Sequence, residues 1–302
     1  MTKTYHANGK LLLTGEYFIL DGAVGLAAPT QYGQTLTVEE TENNEIYWKS
    51  IDSENKIWFE AKFSTQLEII ETTHREIAKT LQHILSHCEL STYNIQLTTR
   101  LDFPNNWGLG SSSTLISLLA QWQNINPYEL LAKTFGGSGY DIACATAKST
   151  ITYQIVNKLQ PIAQHQILSV NFNPSFSNHL YFLHLNKKQN SRDGINHYRQ
   201  LPIDKEVYIE ELSILTQKII NAIDFDEFCY YLEVHENIIA QSLNITKIKN
   251  QYFEDFPGAI KSLGAWGGDF VWVACDEPEH KIRHYFNTKG YPTLLRYQEM
   301  IL

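Results

Sequence analysis

Apolar and polar positions in the first hundred residues follow two different spacings. Thr35 to Val38 alternates as a strand does, and residues 45–63 carry the spaced apolar side chains typical of a hairpin. From Gln66 to Cys88 the apolar residues recur at helical spacing, which predicts an amphipathic helix. Tyr93 to Leu101 alternates again and predicts another strand.

The rest of the chain continues this mixture of periods. Leu115, Leu118, Leu119 and Trp122 fall at i, i+3, i+4 and i+7 and predict a helix with one apolar face. Further helical segments are predicted at Pro127–Lys133, Ile142–Lys148 (a helix or turn of small residues), Val207–Ala222 and Phe225–Leu243, and further strands at Lys10–Leu13, Thr150–Val156, His179–Leu185 and Phe270–Cys275. This irregular order favours an α+β architecture over a regular βαβ series.

The length of 302 residues predicts two domains. Pro174 lies in an Asn- and Ser-rich stretch, residues 171–178, and marks the expected boundary. We therefore predict an N-terminal domain over residues 1–172 and a C-terminal domain over residues 173–302.

Charge and composition exclude several classes of protein. The chain has 33 acidic and 24 basic side chains, a formal charge of −9, which argues against nucleic-acid binding because phosphate backbones require a basic surplus. A small anionic ligand needs only a local cluster of donors. The four cysteines form no CxxC pair, and neither a signal peptide nor a membrane-spanning apolar stretch is evident. We expect a soluble, cytoplasmic protein with reduced thiols.

The most informative segment runs from Pro104 to Thr114, PNNWGLGSSST, between a predicted strand and a predicted helix. Gly108 and Gly110 allow a tight turn, and the serines that follow leave several N–H groups at the start of the helix. Such a turn can bind an anion, aided by the helix dipole, and a serine there can ligate Mg²⁺. An ordinary serine N-cap explains the same residues equally well. The pattern is neither a Walker A loop nor a dinucleotide fingerprint.

Three other segments carry candidate chemistry. Asp141 follows the glycine-rich turn at Gly136–Gly139, where it either accepts a hydroxyl proton during phosphoryl transfer or caps a helix. Another glycine-rich turn at Gly264–Gly268 precedes the apolar strand and reads equally as a connecting turn. Lys10 lies at a strand start, where it reaches solvent or places a positive charge beside a phosphoryl group.

The order and spacing of these segments resemble the motifs of the GHMP kinases, the family of galactokinase, homoserine kinase, mevalonate kinase and phosphomevalonate kinase. The first motif resembles Ala7–Tyr17, the phosphate-binding motif Pro104–Thr114 and the third motif Gly264–Gly268. The first motif and Ser138 to Asp141 are most similar to the mevalonate and phosphomevalonate kinase branch. The sequence departs from the family at Asn8, where Pro is usual, and at Trp266 and Asp269 around the third motif.

The resemblance implies the two-domain α+β fold of these kinases, with an N-terminal domain like ribosomal protein S5 domain 2, a ferredoxin-like C-terminal domain and an active site in the cleft between them. It also implies the use of ATP and Mg²⁺. The implied roles are phosphate binding by Gly108, Leu109, Gly110, Ser111, Ser112 and Ser113; catalysis by Asp141 and Lys10; acceptor binding by Gly264, Ala265, Gly267 and Gly268; and magnesium binding by Ser112 and Glu129.

The function implied is phosphorylation of a small metabolite by a monomer or homodimer, with mevalonate or phosphomevalonate as the expected acceptor. Two alternatives stay open. One is a diphosphomevalonate decarboxylase, which also uses ATP and an Asp near a Ser/Gly turn. The other is a catalytically silent regulator that binds a nucleotide or metabolite on the same fold.

Overall fold

The computed structural model describes residues 2–88, 90, 94–157, 163–187, 191–266 and 268–302. The chain divides into two compact units, each assembled from separate segments. The first comprises Met1–Gly9, Tyr32–Asn105 and Leu109–Thr146, and the second comprises Lys10–Gln31, Asn106–Gly108 and Ala147–Leu302. The domain boundary expected between residues 172 and 173 stays a prediction.

The first unit is built on a mixed sheet. Its strands are β1 (Thr2–Leu12), β2 (Gly25–Glu40), β3 (Ile46–Ile51), β4 (Ile57–Phe63), β5 (Ile69–Thr72) and β6 (Ile95–Leu101). The order is β5-β4-β3-β6-β2, with β1 paired to β2, and the β3–β6 pair is parallel. Both β1 and β2 continue into the second unit, where the first residues of β2 pair with β7 (Ile151–Asn157) and β7 pairs with β8 (Gln164–Ser169).

Alternation along the strands places the core of the first unit. In β3, Ile46, Trp48 and Ser50 are buried while the residues between them are partly exposed, as expected for a sheet with one covered face. The helices among the described residues of this unit are α1 (Arg75–Leu85), α2 (Ser111–Gln123), α3 (Pro127–Lys133) and α4 (Tyr140–Thr146). Their apolar side chains join those of the strands in one hydrophobic core.

The second unit contains an antiparallel sheet in the order β10-β11-β9-β12. Its strands are β9 (Leu180–His184), β10 (Ala259–Ser262), β11 (Phe270–Ala274) and β12 (Leu294–Arg296). Every residue of β9, β10 and β11 is buried, so both faces of these strands are covered. The helices are α5 (Ser191–Gln200), α6 (Lys205–Ile220), α7 (Phe225–Leu243), α8 (Ile248–Tyr252), α9 (Glu279–Thr288) and α10 (Tyr297–Met300).

Most of the predicted elements are confirmed, including the hairpin of β3 and β4 and the helices α2, α3, α6 and α7. The predicted α+β class is also confirmed. All four cysteines are free, as expected. In the part of the chain that the structure describes, no helix is both long and apolar enough to cross a membrane.

The helix predicted from Gln66 to Cys88 is wrong over its first part. Residues Ile69–Thr72 form β5, which pairs antiparallel with β4, and the helix begins only at Arg75. Ile70 fitted the helical spacing, but its side chain is 58% exposed on this short strand. The β-branched pair Ile69–Ile70 favours extended backbone, and pairing with the edge of β4 stabilises it.

This correction predicts different costs for two isoleucines that the sequence pattern placed on one helical face. Ile84→Ala leaves a cavity in the core, because Ile84 is 1% exposed, and is expected to lower the free energy of unfolding by about 2–5 kcal/mol. Ile70→Ala is expected to change it by no more than about 0.5 kcal/mol. Chemical denaturation measures the free energy of unfolding of both variants. Equal losses of this free energy would contradict the assignment of Ile70 to a strand.

Candidate active site

The glycine-rich turn before α2 has the backbone geometry that its sequence predicts. Gly108 has φ 66°, and Gly110, the N-cap of α2, has φ 89° and ψ 41°. Both values lie in the left-handed region, which residues with a Cβ rarely adopt. The two glycines therefore allow the chain to turn from the loop into the helix within a few residues.

The start of α2 presents backbone N–H groups in a polar environment. The N-cap is Gly110, which has no side chain to cap the helix, and the Thr114 N–H is bonded to the Gly110 carbonyl at 2.9 Å. The N–H groups of Ser111, Ser112 and Ser113 precede that first helical bond, so they have no acceptor within the helix. The reading of these serines as an N-cap is wrong, and the arrangement suits an anion.

The hydroxyl groups of this first turn point in different directions. Ser113 is buried and its Oγ donates to the Gly110 carbonyl at 2.9 Å. Thr114 is also buried and donates to Gln34 Oε1 at 2.7 Å. Ser112 is exposed. Of these three hydroxyl groups, that of Ser112 is thus the one available to a ligand in solution, such as a hydrated cation.

In the second unit, charged side chains of both signs contact Gly108. Lys10, half-buried in β1, donates from Nζ to the Gly108 carbonyl at 2.9 Å. The carboxylate of Asp269 lies directly against Gly108, so that a Cβ at position 108 would collide with it. Lys10 thus places a positive charge beside Gly108, and Asp269 places a negative charge there. The catalytic role of Lys10 stays a prediction.

The backbone around this contact is held on both sides. Asp269 adopts φ 51°, its N–H donates to the Lys187 carbonyl at 2.6 Å, and its own carbonyl accepts from the Leu185 N–H at 2.8 Å. On the loop before α2, the carbonyl of Asn106 lies 3.2 Å from Nε2 of His184 in β9. Asp269 follows Gly268 at the end of a glycine-rich turn, and that position was the one sequence signal for it.

Asp141 lies in the first turn of α4, within the first unit. Its Oδ1 accepts a hydrogen bond from the adjacent Ile142 N–H at 3.1 Å, and the residue is half-buried. It belongs to the helix itself, because α4 begins at Tyr140, so it is not the N-cap that the alternative reading required. Burial and then the negative charge of Asp141 raise the pKa of Tyr128 to about 12.

Glu129 is exposed in the first turn of α3, where the side chain of Asn126 caps the helix by accepting from the Tyr128 N–H. A carboxylate at this position is stabilised by the helix dipole. Within the described ranges, no group of three or more His, Cys, Asp or Glu side chains could hold a metal ion. The magnesium roles of Ser112 and Glu129 stay predictions.

The third glycine-rich turn connects β10 to β11. Gly264 has φ 57° and is half-buried like Ala265, while Trp266 and Gly268 are buried. Gly267, predicted to bind the acceptor, lies outside the described residues. Gly264 thus occupies a conformation that favours glycine, and the acceptor-binding role of this turn stays a prediction.

Tyr17, at the end of the first motif, connects several elements of the second unit. It adopts φ 60° and ψ −48°, an uncommon conformation for a bulky residue, and its ring stacks on Tyr198 with centroids 5.8 Å apart. Burial raises the pKa of Tyr17, and a hydrogen bond with the Trp266 backbone partly offsets the rise. Gly194 lies so close to Tyr17 that a Cβ at position 194 would displace the Tyr17 hydroxyl.

Comparison with known proteins gives matches only among solved structures, since no family model and no curated protein sequence matches the chain. Streptococcus pneumoniae phosphomevalonate kinase, in complex with phosphomevalonate and AMPPNP, superposes with a TM-score of 0.71 at 15% identity, covering 97% of this chain and 99% of that chain. Methanococcus jannaschii mevalonate kinase gives 0.68 at 16% identity, covering 98% and 97%.

A sugar kinase matches to a similar extent. Lactococcus lactis galactokinase, in complex with galactose, superposes with a TM-score of 0.68 at 13% identity, covering 98% of this chain and 92% of that chain. The predicted fold is therefore confirmed over nearly the whole chain: it is the two-domain α+β fold shared by the GHMP kinases.

Proposed function

We propose that this protein is an ATP-dependent kinase that transfers the γ-phosphoryl group to a small metabolite. The observation that carries the proposal is the start of α2, where two left-handed glycines and an uncapped first turn present backbone N–H groups. Backbone N–H groups at a helix start bind phosphate well. The fold is that of proteins whose names include mevalonate kinase, phosphomevalonate kinase and galactokinase.

The backbone N–H groups of Gly108 to Ser113 hold the nucleotide phosphates in this proposal. The donor set suits ATP, since it combines backbone N–H groups with the exposed hydroxyl of Ser112. Ser112 would help to hold a magnesium ion bound with the nucleotide, and that ion would supply positive charge to neutralise the phosphates. Glu129 is the proposed carboxylate partner at that metal.

Asp141 and Lys10 carry out the transfer. A bond forms between the acceptor oxygen and the γ-phosphorus while the bond from that phosphorus to the β,γ-bridging oxygen breaks. For a hydroxyl acceptor, Asp141 orients the group and accepts its proton. Lys10 stabilises the developing negative charge and keeps Asp141 ionised. Because phosphoryl transfer depends mainly on positioning and electrostatics, these few groups suffice.

Mevalonate or phosphomevalonate is the acceptor we propose, and the residues proposed to bind it are Gly264, Ala265, Gly267 and Gly268. The support is the resemblance of Ser138 to Asp141 to that branch, together with the matched mevalonate and phosphomevalonate kinase structures. We further propose that the enzyme works in the cytoplasm as a monomer or homodimer.

Gly108→Ala tests the phosphate loop. The added methyl group collides with the Asp269 carboxylate and requires a left-handed alanine, so we expect ATP to bind about tenfold more weakly. Gly136→Ala is the matched control, because Gly136 has φ +65° but no atom within 4 Å of the added Cβ. Calorimetric titration with ATP measures the dissociation constant for each of the two variants. Equal effects on ATP binding would contradict the assignment.

Asp141→Ala tests the proposed catalytic carboxylate. We expect turnover to be abolished, because nothing then orients the acceptor or takes its proton, whereas ATP binding survives. The readouts are ADP formation and an ATP titration on the same variant. Glu40→Ala provides a control at a carboxylate of the same unit that has no proposed role. An Asp141→Ala enzyme that retains activity would refute this role.

An ADP-release screen identifies the acceptor. We expect release with mevalonate or phosphomevalonate, and none with homoserine or sugars. Carbon dioxide release with diphosphomevalonate would instead indicate a decarboxylase. ATP binding without ADP formation for any acceptor would indicate a silent regulator.

A further inference from the structure

Two consecutive residues of α7 hold backbone groups of the first motif, at Gly15, and of the strand that precedes the turn at Gly264. His235 and Glu236 are 0% and 1% exposed. The Gly15 N–H donates to His235 Nε2 at 3.1 Å. The Ser262 N–H donates to Glu236 Oε2 at 3.0 Å, and the Ser262 hydroxyl donates to Glu236 Oε1 at 2.8 Å. One turn of helix thus fixes the first motif and the end of β10, two residues before Gly264.

A buried ion pair completes this cluster. Lys261 in β10 is bonded to Glu16, which follows Gly15, and both side chains are fully buried. Lys261 Nζ also donates to the Ser262 carbonyl at 2.9 Å. Because His235 Nε2 accepts from Gly15, we assign the neutral tautomer with the proton on Nδ1. Burial, and then the charge of Lys261, lowers the pKa of His235 well below its usual value, which agrees with a neutral ring.

The cluster contains two carboxyl groups and one cation. Burial raises the pKa of Glu236 to about 7 and also raises that of Glu16, while Lys261 opposes both shifts. The buried residues of α6, which packs against α7, are Leu212, Leu215, Thr216 and Ile219, and none carries a charge. Among the described residues, the charged groups acting on Glu236 are Lys261 and Glu16.

We propose that Glu236 is a positioning residue for phosphoryl transfer: it fixes Ser262, and through it the acceptor turn that begins at Gly264. This inference rests on the proposed kinase function. Glu236 is not one of the residues proposed to bind the nucleotide or the acceptor. Its effect on phosphoryl transfer is therefore exerted through the backbone of β10. A displacement of about 1 Å in a positioning element can lower a rate about 100-fold.

Two substitutions separate hydrogen bonding from charge. Glu236→Gln keeps both bonds, since the amide oxygen accepts from the Ser262 N–H and the amide nitrogen donates to the hydroxyl, which reverses its role. Glu236→Met keeps the approximate volume but removes both acceptors. Glu233→Gln is the control on the same helix, because the Glu233 side chain is 55% exposed.

Steady-state kinetics with the acceptor found in the screen provides the first readout. We expect Glu236→Met to lower kcat/KM for the acceptor about 10- to 100-fold while the ATP dissociation constant changes less than about twofold. Glu236→Gln and Glu233→Gln should stay within about threefold of the wild type. A fully active Glu236→Met, or a Glu236→Gln as inactive as Glu236→Met, would overturn the positioning role. A wild type that phosphorylates no acceptor would instead refute the proposed function.

Amide hydrogen exchange at Ser262 gives a second readout that needs no acceptor. Protection should be lost in Glu236→Met and kept in Glu236→Gln. Unchanged protection in Glu236→Met would overturn the inference, whatever the activity.

The pH dependence of stability gives a third readout of the buried carboxyl. A folded-state pKa of about 7, above that of an exposed Glu, makes the free energy of unfolding fall as pH rises between those two values. Glu236→Gln cannot lose this proton, so its advantage over the wild type should grow from about pH 4.5 to pH 7 and then level off. A constant difference across that range would contradict the assigned environment of Glu236.

Discussion

The buried ion pair between Glu16 and Lys261 is the constraint on which the arrangement of the second unit depends. Both side chains are fully buried, and burying an unpaired charge costs several kcal/mol or more. The segment after β1 and the end of β10 must therefore stay where the two charges meet. The turns at Gly15 and Gly264 flank this pair, so their positions follow from it. His235 and Glu236 add hydrogen bonds from a single helix and restrict the same two segments further.

A second constraint acts on the phosphate loop, and it concerns backbone geometry more than charge. The chain carries a formal charge of −9, yet the proposed phosphate donors are backbone N–H groups, whose number does not depend on net charge. Gly108 and Gly110 allow the turn that exposes them. Lys10 supplies one local positive charge, and the Asp269 carboxylate lies so close to Gly108 that it leaves no room for a Cβ there. An acidic protein can thus offer a site for a small polyanion while its overall charge repels nucleic acid.

Sequence predicted the elements that have a clear period or a local signal. The apolar face of α2 and the Pro127 that begins α3 are examples, and the glycine-rich turns had the backbone conformations expected of them. The pattern of apolar residues gave a wrong prediction where strand pairing overrides local spacing, as at Ile70 in β5. It also did not predict β8, in which the apolar residues Ile167 and Leu168 are exposed. The buried cluster could not be predicted either. Glu16 and Lys261 are 245 residues apart in sequence, and only the folded chain pairs them.

Backbone hydrogen exchange in the presence of nucleotide tests the central claim most directly. ATP with Mg²⁺ should slow exchange of the amides of residues 108–113, and adenosine, which lacks phosphates, should leave them unchanged. If ATP binds while these amides exchange as fast as in the free protein, the phosphates lie elsewhere, and the proposed kinase site is wrong.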